Sequence, residues 1–328
     1  MTAEEIFNQF RNKHIVVFGD VMLDVYRYGK VNRISPEAPV PILSFEREES
    51  RVGGAANVAL NLHSLGAKVS VFSIVGNDAS GMLLRNLLKE SGILTDAIFI
   101  EETKPTTVKT RYISGGQQIL RVDTENVEDV VQSLENQMLE SLKELSQKTQ
   151  IDAIIFEDYN KGLLTEKLIE SVIQFAKENH IPIAVDPKKK HFLNYRGVSL
   201  FKPNLKELQE GLSLSIDPKS KSSLKNAVVE LQTKLNNELT LLTLSENGVA
   251  IASKEDLVHF PAHVRSIADV SGAGDTVIAV ATLTLVSGGS LEQIAAYSNL
   301  AGGLVCEQSG VVSINKNQLL SEIKKSEI

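Results

Sequence analysis

Residues 151–185 read IDAIIFEDYNKGLLTEKLIESVIQFAKENHIPIAV, and this stretch decides the fold class. Residues 151–156 and 181–185 are short apolar runs rich in β-branched side chains, which predict two buried strands. Residues 163–178 carry apolar side chains at helical spacing. A strand, a helix and a second strand in this order predict two parallel strands with the helix packed on their face.

The same alternation continues over most of the chain. Further strands are predicted at residues 14–18, 69–75, 198–201 and 239–244, and further helices at 57–65, 80–90, 127–145 and 223–235. Near the C-terminus, Gly272 opens an apolar helix that runs to residue 286. Ser290 and Gln293 then form a capping-box pattern, so a second helix is predicted to reach about residue 307. We therefore expect an α/β fold of three layers, with helices on both faces of a mostly parallel central sheet.

Two segments depart from this alternation. Residues 39–51 and 98–123 show the period-2 pattern of short antiparallel strands, and Gly115-Gly116 supplies a turn within the second segment. No low-complexity linker separates either segment from its surroundings. We expect one domain over residues 1–328, with these two segments forming a small β lid.

The composition excludes several classes of function. The 328 residues are 42% hydrophobic and 23% charged, with a formal net charge of −7, which argues against disorder and against nucleic-acid binding. Cys306 is the only cysteine, so an internal disulfide and a multi-cysteine metal site are excluded. The sequence has no apolar signal segment and no apolar run near the ~20 residues needed to cross a bilayer. We expect a cytoplasmic protein that does not bind membranes.

The segment from Asp269 to Thr276, DVSGAGDT, is the strongest candidate for chemistry. Gly272 and Gly274 let a ligand approach the backbone closely, and the N–H groups of the following helix start can bind an anion. Asp275 lies in the first helical turn, where it could accept a proton from a hydroxyl group. This combination suggests phosphoryl transfer to an alcohol, and the alternative is a glycine-rich turn with a helix-start Asp.

Three polar sites follow predicted strands or helices in the C-terminal half. Asn204 and Glu207 could organise phosphate oxygens and a hydrated Mg²⁺ ion, or they could form an ordinary helix cap. Residues 243–248, TLSENG, follow a strand where a nucleotide could lie, or they could form a simple hairpin turn. Asn299 begins a run of small residues that could admit an adenine or only pack closely.

The N-terminal half offers groups suited to sugar hydroxyls. Residues 19–24, GDVMLD, place two carboxylates after the first strand, and residues 53–57, GGAAN, open a small-residue helix. Residues 158–162, DYNKG, form a polar loop at the same predicted sheet edge. The alternatives are turn-forming Asp residues and a tightly packed helix start.

Other phosphate-binding and metal-binding motifs do not occur in the sequence. It has neither the Gly-x-x-x-x-Gly-Lys-Ser/Thr loop nor a Gly-x-Gly-x-x-Gly after the first strand, and its six histidines lack metal-binding spacing. The basic run Lys188-Lys189-Lys190 is predicted to be solvated surface rather than a binding patch.

These motifs, in this order, resemble the ribokinase-like (PfkB) family of sugar kinases over nearly the whole chain. The two family signatures correspond to residues 53–57, GGAAN, and 269–275, DVSGAGD. Residues 33–41, RISPEAPVP, together with DPK at 186–188 and QQ at 117–118, resemble the subgroup that phosphorylates D-glycero-β-D-manno-heptose 7-phosphate at O1. That subgroup acts on the route to ADP-heptose for lipopolysaccharide.

The resemblance implies a role for each matching residue. Asp275 would be the base, and Gly272, Ala273 and Gly274 would form the anion hole. ATP would bind with Mg²⁺, with Glu207 reaching the metal through water, along Asn204, Glu207, Thr243, Ser245, Gly248 and Asn299. The sugar would contact Asp24, Gly53, Gly54, Asn57, Asp158 and Lys161. A monovalent cation could lie near Asp269 and Ser271.

The substrate phosphate needs local cations because the protein is acidic. Lys109 and Arg111 alternate along one predicted strand and share a face, and Arg121 on the next strand could join them; alternatively these are solvated charges. Another family kinase, acting on a free sugar or a nucleoside, is the alternative function, and a non-catalytic sugar sensor is a second one. The kinases of the subgroup that this chain resembles form one half of bifunctional proteins whose other half is an adenylyltransferase with a His-x-Gly-His motif. That motif does not occur in this sequence, so we expect only the kinase step. If two lids pair, the protein is a homodimer.

Overall fold

A computed structural model describes residues 1–254, 256–262 and 267–326. A nine-stranded sheet forms the centre of the molecule, in the order β13-β12-β11-β10-β9-β8-β1-β4-β5. Its strands are β1 (His14–Gly19), β4 (Lys68–Gly76), β5 (Ile98–Glu101), β8 (Ala153–Glu157), β9 (Ile183–Asp186), β10 (Leu200–Phe201), β11 (Leu239–Thr243), β12 (Val249–Ala252) and β13 (Leu257–Phe260). From β5 to β11 neighbouring strands are parallel, and only β12 runs in the opposite direction. The predicted, mostly parallel sheet is therefore confirmed.

Helices cover both faces of this sheet. They are α1 (Ala3–Gln9), α2 (Ala55–Ser64), α3 (Ala79–Glu90), α4 (Gln132–Lys148), α5 (Glu166–Glu178), α6 (Leu205–Leu212), α7 (Lys221–Leu235), α8 (Ala273–Val286), α9 (Leu291–Cys306) and α10 (Lys316–Lys325). The α9 start shows the predicted capping box, in which Ser290 and Gln293 cap each other reciprocally. Among the described residues, no helix is both long and apolar enough to cross a bilayer.

The core consists of two apolar clusters, one on each face of the sheet. Strand β1 shows the division, because Ile15 and Val17 belong to the cluster that includes α2, α8 and α9, whereas Val16 and Phe18 belong to the cluster that includes α4, α5 and α7. Adjacent side chains of a strand point to opposite faces. A strand that is apolar at every position is therefore buried on both faces, and this confirms the predicted three layers.

A second sheet of four strands forms a separate small layer, in the order β3-β2-β6-β7. Its strands are β2 (Val21–Ile34), β3 (Pro41–Gly54), β6 (Val108–Ser114) and β7 (Gln117–Thr124). The β6–β7 hairpin turns at Gly115-Gly116, as predicted. We call these four strands the small sheet.

The bounds predicted for this sheet were wrong in two places. Residues 98–101 form β5, which pairs with β4 in the main sheet, so they are not part of the small sheet. Strand β2 was missed. It pairs with β3 over almost its whole length, and the local sequence alone gave no hairpin signal because residues 35–40 form a longer exposed loop.

Two other elements start later than predicted. The helix predicted at 127–145 begins at Gln132. The backbone groups just before it form hydrogen bonds with distant residues instead of helical ones, because Val130 N donates to Gly162 O and Glu128 O accepts from the Lys104 side chain. The strand predicted at 198–201 is only Leu200–Phe201. The later start of α4 thus depends on long-range hydrogen bonds that local sequence patterns do not contain.

Candidate active site

Asp275 is held between two hydrogen-bond donors from distant parts of the chain. Its Oδ2 accepts from Asn57 Nδ2 of α2 at 2.6 Å, and its Oδ1 accepts from the Tyr159 hydroxyl at 2.9 Å. Only 4% of Asp275 is exposed. Burial raises the pKa of Asp275 to about 6, and the hydrogen bond from Asn57 acts in the opposite direction. The carboxylate is thus fixed in position and poised to exchange a proton near neutral pH.

Gly272 allows this arrangement at the start of α8. Its φ of +80° lies in the left-handed region, and a Cβ atom there would lie 2.7 Å from Asn57 Nδ2. No side chain caps the N-terminus of α8. The backbone N–H groups that follow Gly272 are therefore not covered by a capping side chain at this end, although in the predicted anion hole Ala273 N donates to Val270 O at 3.3 Å.

A tightly held loop carries Tyr159. The buried carboxylate of Asp20 accepts backbone N–H groups from Tyr159, Lys161 and Leu163, at 2.9, 3.1 and 3.3 Å. Burial, and then the charge of Asp158, raise the pKa of Asp20 to about 6. Burial, followed by Asp275, raises the pKa of the Tyr159 hydroxyl, which keeps it protonated as a donor to Asp275. Asp20 therefore sets the position of the Tyr159 hydroxyl.

A chain of ion pairs leads from the anion hole to α6. A Cβ atom at Gly274 would lie 3.6 Å from both Asp186 Oδ2 and Lys202 Nζ, which are themselves 2.7 Å apart. Lys188 Nζ lies 3.6 Å from Asp186 Oδ1 and 2.8 Å from Glu207 Oε1. Burial alone would raise the pKa of Asp186, but the charges of Lys188 and Lys202 outweigh it and keep Asp186 ionised.

The prediction that Lys188 is solvated surface was wrong. Burial alone would lower the pKa of Lys188, but Asp186 and Glu207 outweigh it and raise that pKa. The neighbouring Lys189 is 71% exposed, as predicted for the run, and pairs with Glu210 at the surface. Lys188 differs because it follows β9 by two residues and turns back toward the sheet edge.

Asn204 and Glu207 form a reciprocal capping box at the start of α6. This is the ordinary helix cap that the sequence allowed as the alternative for this pair. Asn204 Oδ1 accepts Glu207 N, and Glu207 Oε2 accepts Asn204 N, both at 2.8 Å. Glu207 Oε1 pairs with Lys188. Thr243, at the end of β11, lies beside Asn204 in an isolated parallel bridge. The capping box therefore stands next to the carboxyl ends of β9 and β11.

The other predicted nucleotide residues lie on a turn and a helix nearby in sequence. Ser245 and Gly248 form the turn of the β11–β12 hairpin, where Gly248 N donates to Ser245 O, so the hairpin alternative is also realised. The Asn299 side chain donates to Pro261 O at 2.9 Å. None of these contacts links Ser245, Gly248 or Asn299 directly to Asp275 among the described residues.

The predicted sugar residues meet where the small sheet joins the main one. Asp24 lies on β2, and a Cβ atom at Gly53 of β3 would lie 2.2 Å from its carboxylate, so a side chain there would displace Asp24. Asp24 Oδ1 pairs with Arg111 Nη1 at 2.5 Å. Gly54 is the N-cap residue of α2, the helix that presents Asn57 to Asp275. These residues therefore join the small sheet to the base.

The remaining predicted cations are paired with carboxylates in this structure. Lys109 lies 3.9 Å from Asp123, Arg121 lies 2.9 Å from Asp123, and Lys161 lies 2.7 Å from Glu125. Burial, and then the like charge of Lys161, lower the pKa of Lys109, so the two ammonium groups are close enough to repel each other.

Asp158 is turned away from this group. Its Oδ2 accepts from the Tyr195 hydroxyl and its Oδ1 accepts from Asn160 N, each at 2.8 Å, and it is 1% exposed. In this structure Asp158 stabilises the loop that carries Tyr159 and Lys161.

The residues around Asp275 fit a divalent cation. Oxygen atoms of Glu157, Asp186 and Asp275 all lie within 4.8 Å of one another, and all three residues are buried. Carboxylate oxygens are the ligands that Mg²⁺ prefers. Glu207, the residue predicted to reach a metal through water, uses both oxygens for Asn204 N and Lys188 Nζ.

Sequence reasoning gave no role at this site to Glu157 and Lys202, and it included Tyr159, Asp186 and Lys188 only as parts of longer motifs. Asp20 was predicted as a carboxylate suited to sugar hydroxyls, whereas it accepts the backbone N–H groups of the loop that carries Tyr159. Asp186 ends β9, and Lys202 directly follows β10. Polar residues at the carboxyl ends of parallel strands were the available signal, because those ends converge on one edge of the sheet. Tyr159 lies in the loop of residues 158–162, where only Asp158 and Lys161 were predicted to contact the sugar.

Residues 12–318 match the family described as pfkB family carbohydrate kinase. The chain belongs to the pfkB family of carbohydrate kinases. It is accordingly a phosphotransferase that acts on a sugar hydroxyl, and the observed α/β architecture agrees with the family expectation.

Curated relatives of this pfkB kinase extend beyond it in length. It is 41% identical over 314 residues to the bifunctional protein HldE of Sulfurimonas denitrificans, which covers 95% of this chain and 64% of that protein. It is 42% identical over 298 residues to the bifunctional protein HldE of Helicobacter pylori, which covers 91% of this chain and 64% of that one. The chain thus spans about 64% of the length of these relatives.

Solved structures share the fold at low sequence identity. Phosphofructokinase-2 of Escherichia coli in complex with substrates and products matches with a TM-score of 0.78 and 19% identity, over 95% of this chain and 99% of that one. Arabidopsis thaliana ribokinase complexed with ribose and ATP matches with a TM-score of 0.72 and 18% identity, over 94% and 98%. At this identity the likeness shows the fold of the pfkB kinase alone.

Proposed function

We propose that this protein transfers the γ-phosphoryl group of ATP to O1 of D-glycero-β-D-manno-heptose 7-phosphate. The single observation that carries the kinase chemistry is the Asp275 carboxylate, fixed by Asn57 and Tyr159 beside the uncapped N-terminus of α8. The heptose assignment is supported by the motifs at residues 33–41, 117–118 and 186–188 and by the match to the HldE protein of Sulfurimonas denitrificans over 95% of the chain. The two family signatures support the location of the active site, and the subgroup motifs support the choice of substrate.

Asp275 acts as the general base in this proposal. Its carboxylate accepts the proton of the sugar hydroxyl while the hydroxyl oxygen attacks the γ-phosphorus of ATP. The bond between that phosphorus and the β–γ bridging oxygen breaks, and ADP leaves with the bond electrons. The hydrogen bonds from Asn57 and Tyr159 hold the carboxylate oxygens in place during the proton transfer.

The start of α8, together with Lys188 and Lys202, would stabilise the charge that builds up on the transferred phosphoryl group. Backbone N–H groups at Gly272, Ala273 and Gly274 would face its oxygens. Lys202 lies beside Gly274 and pairs with Asp186. Asn204, Glu207, Thr243, Ser245, Gly248 and Asn299 remain the proposed nucleotide residues. The proximity of Thr243 to Asn204 supports a nucleotide path along the carboxyl edge of the sheet.

Two cations belong to the proposal. Mg²⁺ would be held near Glu207 through water, and when bound it would neutralise phosphate charge. A monovalent cation would lie near Asp269 and Ser271, where the Asp269 carboxylate accepts backbone N–H groups of Ser271 and Gly310 at 2.9 and 3.0 Å. Escherichia coli phosphofructokinase-2, a relative in fold, has a structure in complex with potassium.

The substrate phosphate would bind among the cations at the edge of the small sheet. Lys109, Arg111, Arg121 and Lys161 face three carboxylates, Asp24, Asp123 and Glu125, so four positive charges less three negative charges leave one. A phosphate dianion placed between Lys109 and Lys161 would relieve their mutual repulsion. Asp24, Gly53, Gly54 and Asn57 complete the proposed sugar site, with the small sheet as its lid, whereas the Asp158 carboxylate is taken up by Tyr195 and Asn160.

We expect kcat to fall below a pH of about 6. Burial raises the pKa of Asp275 to about 6, and Asp275 must be ionised to accept the hydroxyl proton, so activity is present above that pH and is lost as the pH falls through it. At pH 5 about a tenth of the carboxylate would be ionised, which gives roughly a tenfold loss. The measurement is kcat from pH 5 to 8 at saturating ATP and sugar phosphate. A flat profile over this range contradicts the assignment.

The substrate class is tested by ADP release. A coupled assay would compare heptose 7-phosphate with free heptose, fructose 6-phosphate, ribose and a nucleoside. The proposal expects the highest kcat/KM for heptose 7-phosphate. Preferred turnover of a free sugar or a nucleoside would instead support another activity of the same family, and no ADP release with any of them would favour a sugar sensor.

We propose a homodimer formed through the small sheets of two copies. The small sheet exposes several large apolar side chains, namely Ile34, Phe45, Ile119, Leu120 and Val122. Within the described part of the chain, no strand pairs with the outer edges of β3 and β7. Exposed apolar patches and open edges are typical of interfaces. Sedimentation velocity at micromolar concentration should give twice the 35.8 kDa chain mass. Leu120→Glu should shift the protein to monomer, and a wild type that sediments only as monomer contradicts the dimer.

A further inference from the structure

Arg51 is a partly buried side chain on β3 that the proposed reaction does not use. Its Nη1 donates to Ser309 O and to Val311 O, at 3.0 and 3.1 Å. The other side of the same guanidinium binds Glu49 Oε1, which lies 2.7 Å from both Nε and Nη2. Because a guanidinium group is planar and its donors are fixed, these partners are held in one geometry. Arg51 therefore joins the small sheet to residues 307–315, which we call the α9–α10 loop.

The α9–α10 loop supports the start of α8. Gly310 N lies between the two carbonyl groups that Arg51 binds, and it donates to Asp269 Oδ2 at 3.0 Å. Asp269 Oδ1 accepts Ser271 N at 2.9 Å, and Ser271 directly precedes Gly272, the N-cap residue of α8. A hydrogen-bonded path thus leads from Arg51 to the backbone that would bind the transferred phosphoryl group.

The parts of this path pack closely against one another. Gly310 has a φ of +72°, and a Cβ atom there would lie 2.5 Å from Arg51 Nη1. A Cβ atom at Gly272 would lie 3.3 Å from Val311 Cγ1. Close-packed groups transmit displacement because they leave little free space between them. A movement of Arg51 would therefore move the α9–α10 loop and, with it, the start of α8.

The small-sheet side of Arg51 lies among the proposed sugar residues. Arg51 is paired directly with Asp24 across β2 and β3, and side chains of directly paired residues share one face of a sheet. Arg51 and Arg111 lie over the same Tyr26 ring, at 5.4 and 5.2 Å from its centroid, and Arg111 pairs with Asp24. A sugar phosphate that took Asp24 or Arg111 as a partner would change the surroundings of Arg51.

Arg47, on the same strand, shows how an ordinary surface arginine differs. It is 61% exposed, lies 3.6 Å from Glu49, and covers the Tyr28 ring at 3.6 Å from its centroid. Both of these partners belong to the small sheet. Exposed ion pairs of this kind contribute little to stability or to the position of other elements. Arg51 shares Glu49 with Arg47 but adds two charge-assisted hydrogen bonds to another layer of the molecule.

We propose that Arg51 is a positioning residue that couples sugar binding at the small sheet to ATP binding at the start of α8. It acts through the α9–α10 loop and Asp269, and it contacts neither substrate. This inference rests on the proposed positions of the sugar and of the transferred phosphoryl group, but not on which sugar is phosphorylated. Because coupling between two binding sites is reciprocal, ATP would tighten sugar binding by the same factor.

The test measures the Kd of the β,γ-imido analogue of ATP, in the presence of Mg²⁺, by isothermal titration calorimetry without sugar and with saturating heptose 7-phosphate. We expect the sugar phosphate to lower this Kd at least fivefold in the wild type and less than twofold in Arg51→Met. Methionine keeps an unbranched side chain but donates no hydrogen bond. A loss of stability alone would reduce the amount of folded protein and would leave the ratio of the two Kd values unchanged.

Two further variants sharpen this test. Arg47→Met is the matched control, because it removes the same charge and a contact with the same Glu49, and it should keep the wild-type ratio. Arg51→Lys keeps the charge but has a single nitrogen, which cannot bind Glu49 and both carbonyl groups in the same fork. It should retain only part of the coupling, and it replaces Arg51→Met as the test if that variant does not fold.

Either of two results would overturn the proposal. One is a folded Arg51 variant that keeps the full wild-type ratio of Kd values. The other is a wild type whose affinity for the ATP analogue is the same with and without bound sugar phosphate. A wild type that does not bind heptose 7-phosphate contradicts the proposed substrate instead. The two Kd values are then measured with the sugar that supports ADP release, so the two failures are distinguished.

Discussion

Asp275→Asn is expected to lower kcat by a factor on the order of 10²–10⁴, with little change in the KM for ATP. The amide keeps the size of the carboxylate but cannot accept the hydroxyl proton at neutral pH. Asn57 and Tyr159 remain in place to hold the side chain. Steady-state kinetics with both substrates varied would measure the effect.

Two comparisons separate this loss from unfolding. Asp217→Asn removes one negative charge at an exposed loop position, and it should keep wild-type kcat. The Tm of Asp275→Asn should stay close to that of the wild type, because burial already disfavours the charged form of Asp275. If Asp275→Asn turns over at near the wild-type rate, the base lies elsewhere.

Arg111→Ala is expected to raise the KM for heptose 7-phosphate by roughly tenfold or more, because a charge-assisted hydrogen bond contributes ~1.5–3 kcal/mol. The KM for ATP should change little. Arg111 is 15% exposed at its side chain and lies on β6 beside Lys109, with Asp24 as its present partner. Kinetics with heptose 7-phosphate and with free heptose would measure the change for each.

The free sugar is the essential comparison for Arg111. Because Arg111 also pairs with Asp24, its removal could weaken binding of the sugar ring rather than the phosphate. An equal increase in KM for free and phosphorylated heptose would show this second effect. Arg121→Ala is the matched control, since Arg121 lies opposite Arg111 on β7 but is 50% exposed, and its loss should matter less.

The sequence predicted the layers of this fold well because the signal for them is local. Apolar strands such as β1 and amphipathic helices such as α5 carry their period in adjacent residues. The lengths of elements were less predictable. Strand β2 and the start of α4 depend on pairing with residues far along the chain, which no local pattern records.

The site was predicted where a motif fixes its geometry. Residues 269–275 placed Asp275 at a helix start, and the structure puts it there. Its partners were not predictable in the same way, because Asn57 is 218 positions away from Asp275 and Tyr159 is 116 positions away. Glu157 was not predicted as a site residue because it ends an apolar strand, where one acidic residue resembles the beginning of a loop.

The most direct test of the proposed function is ³¹P nuclear magnetic resonance of the product formed from ATP and D-glycero-β-D-manno-heptose 7-phosphate. The account predicts ADP and a sugar that carries two phosphates, with the new signal coupled to the anomeric proton at C1 and the 7-phosphate signal retained. Asp275→Asn should form this product only slowly. An unchanged heptose 7-phosphate, under conditions where the same enzyme phosphorylates a free hexose, would contradict the account.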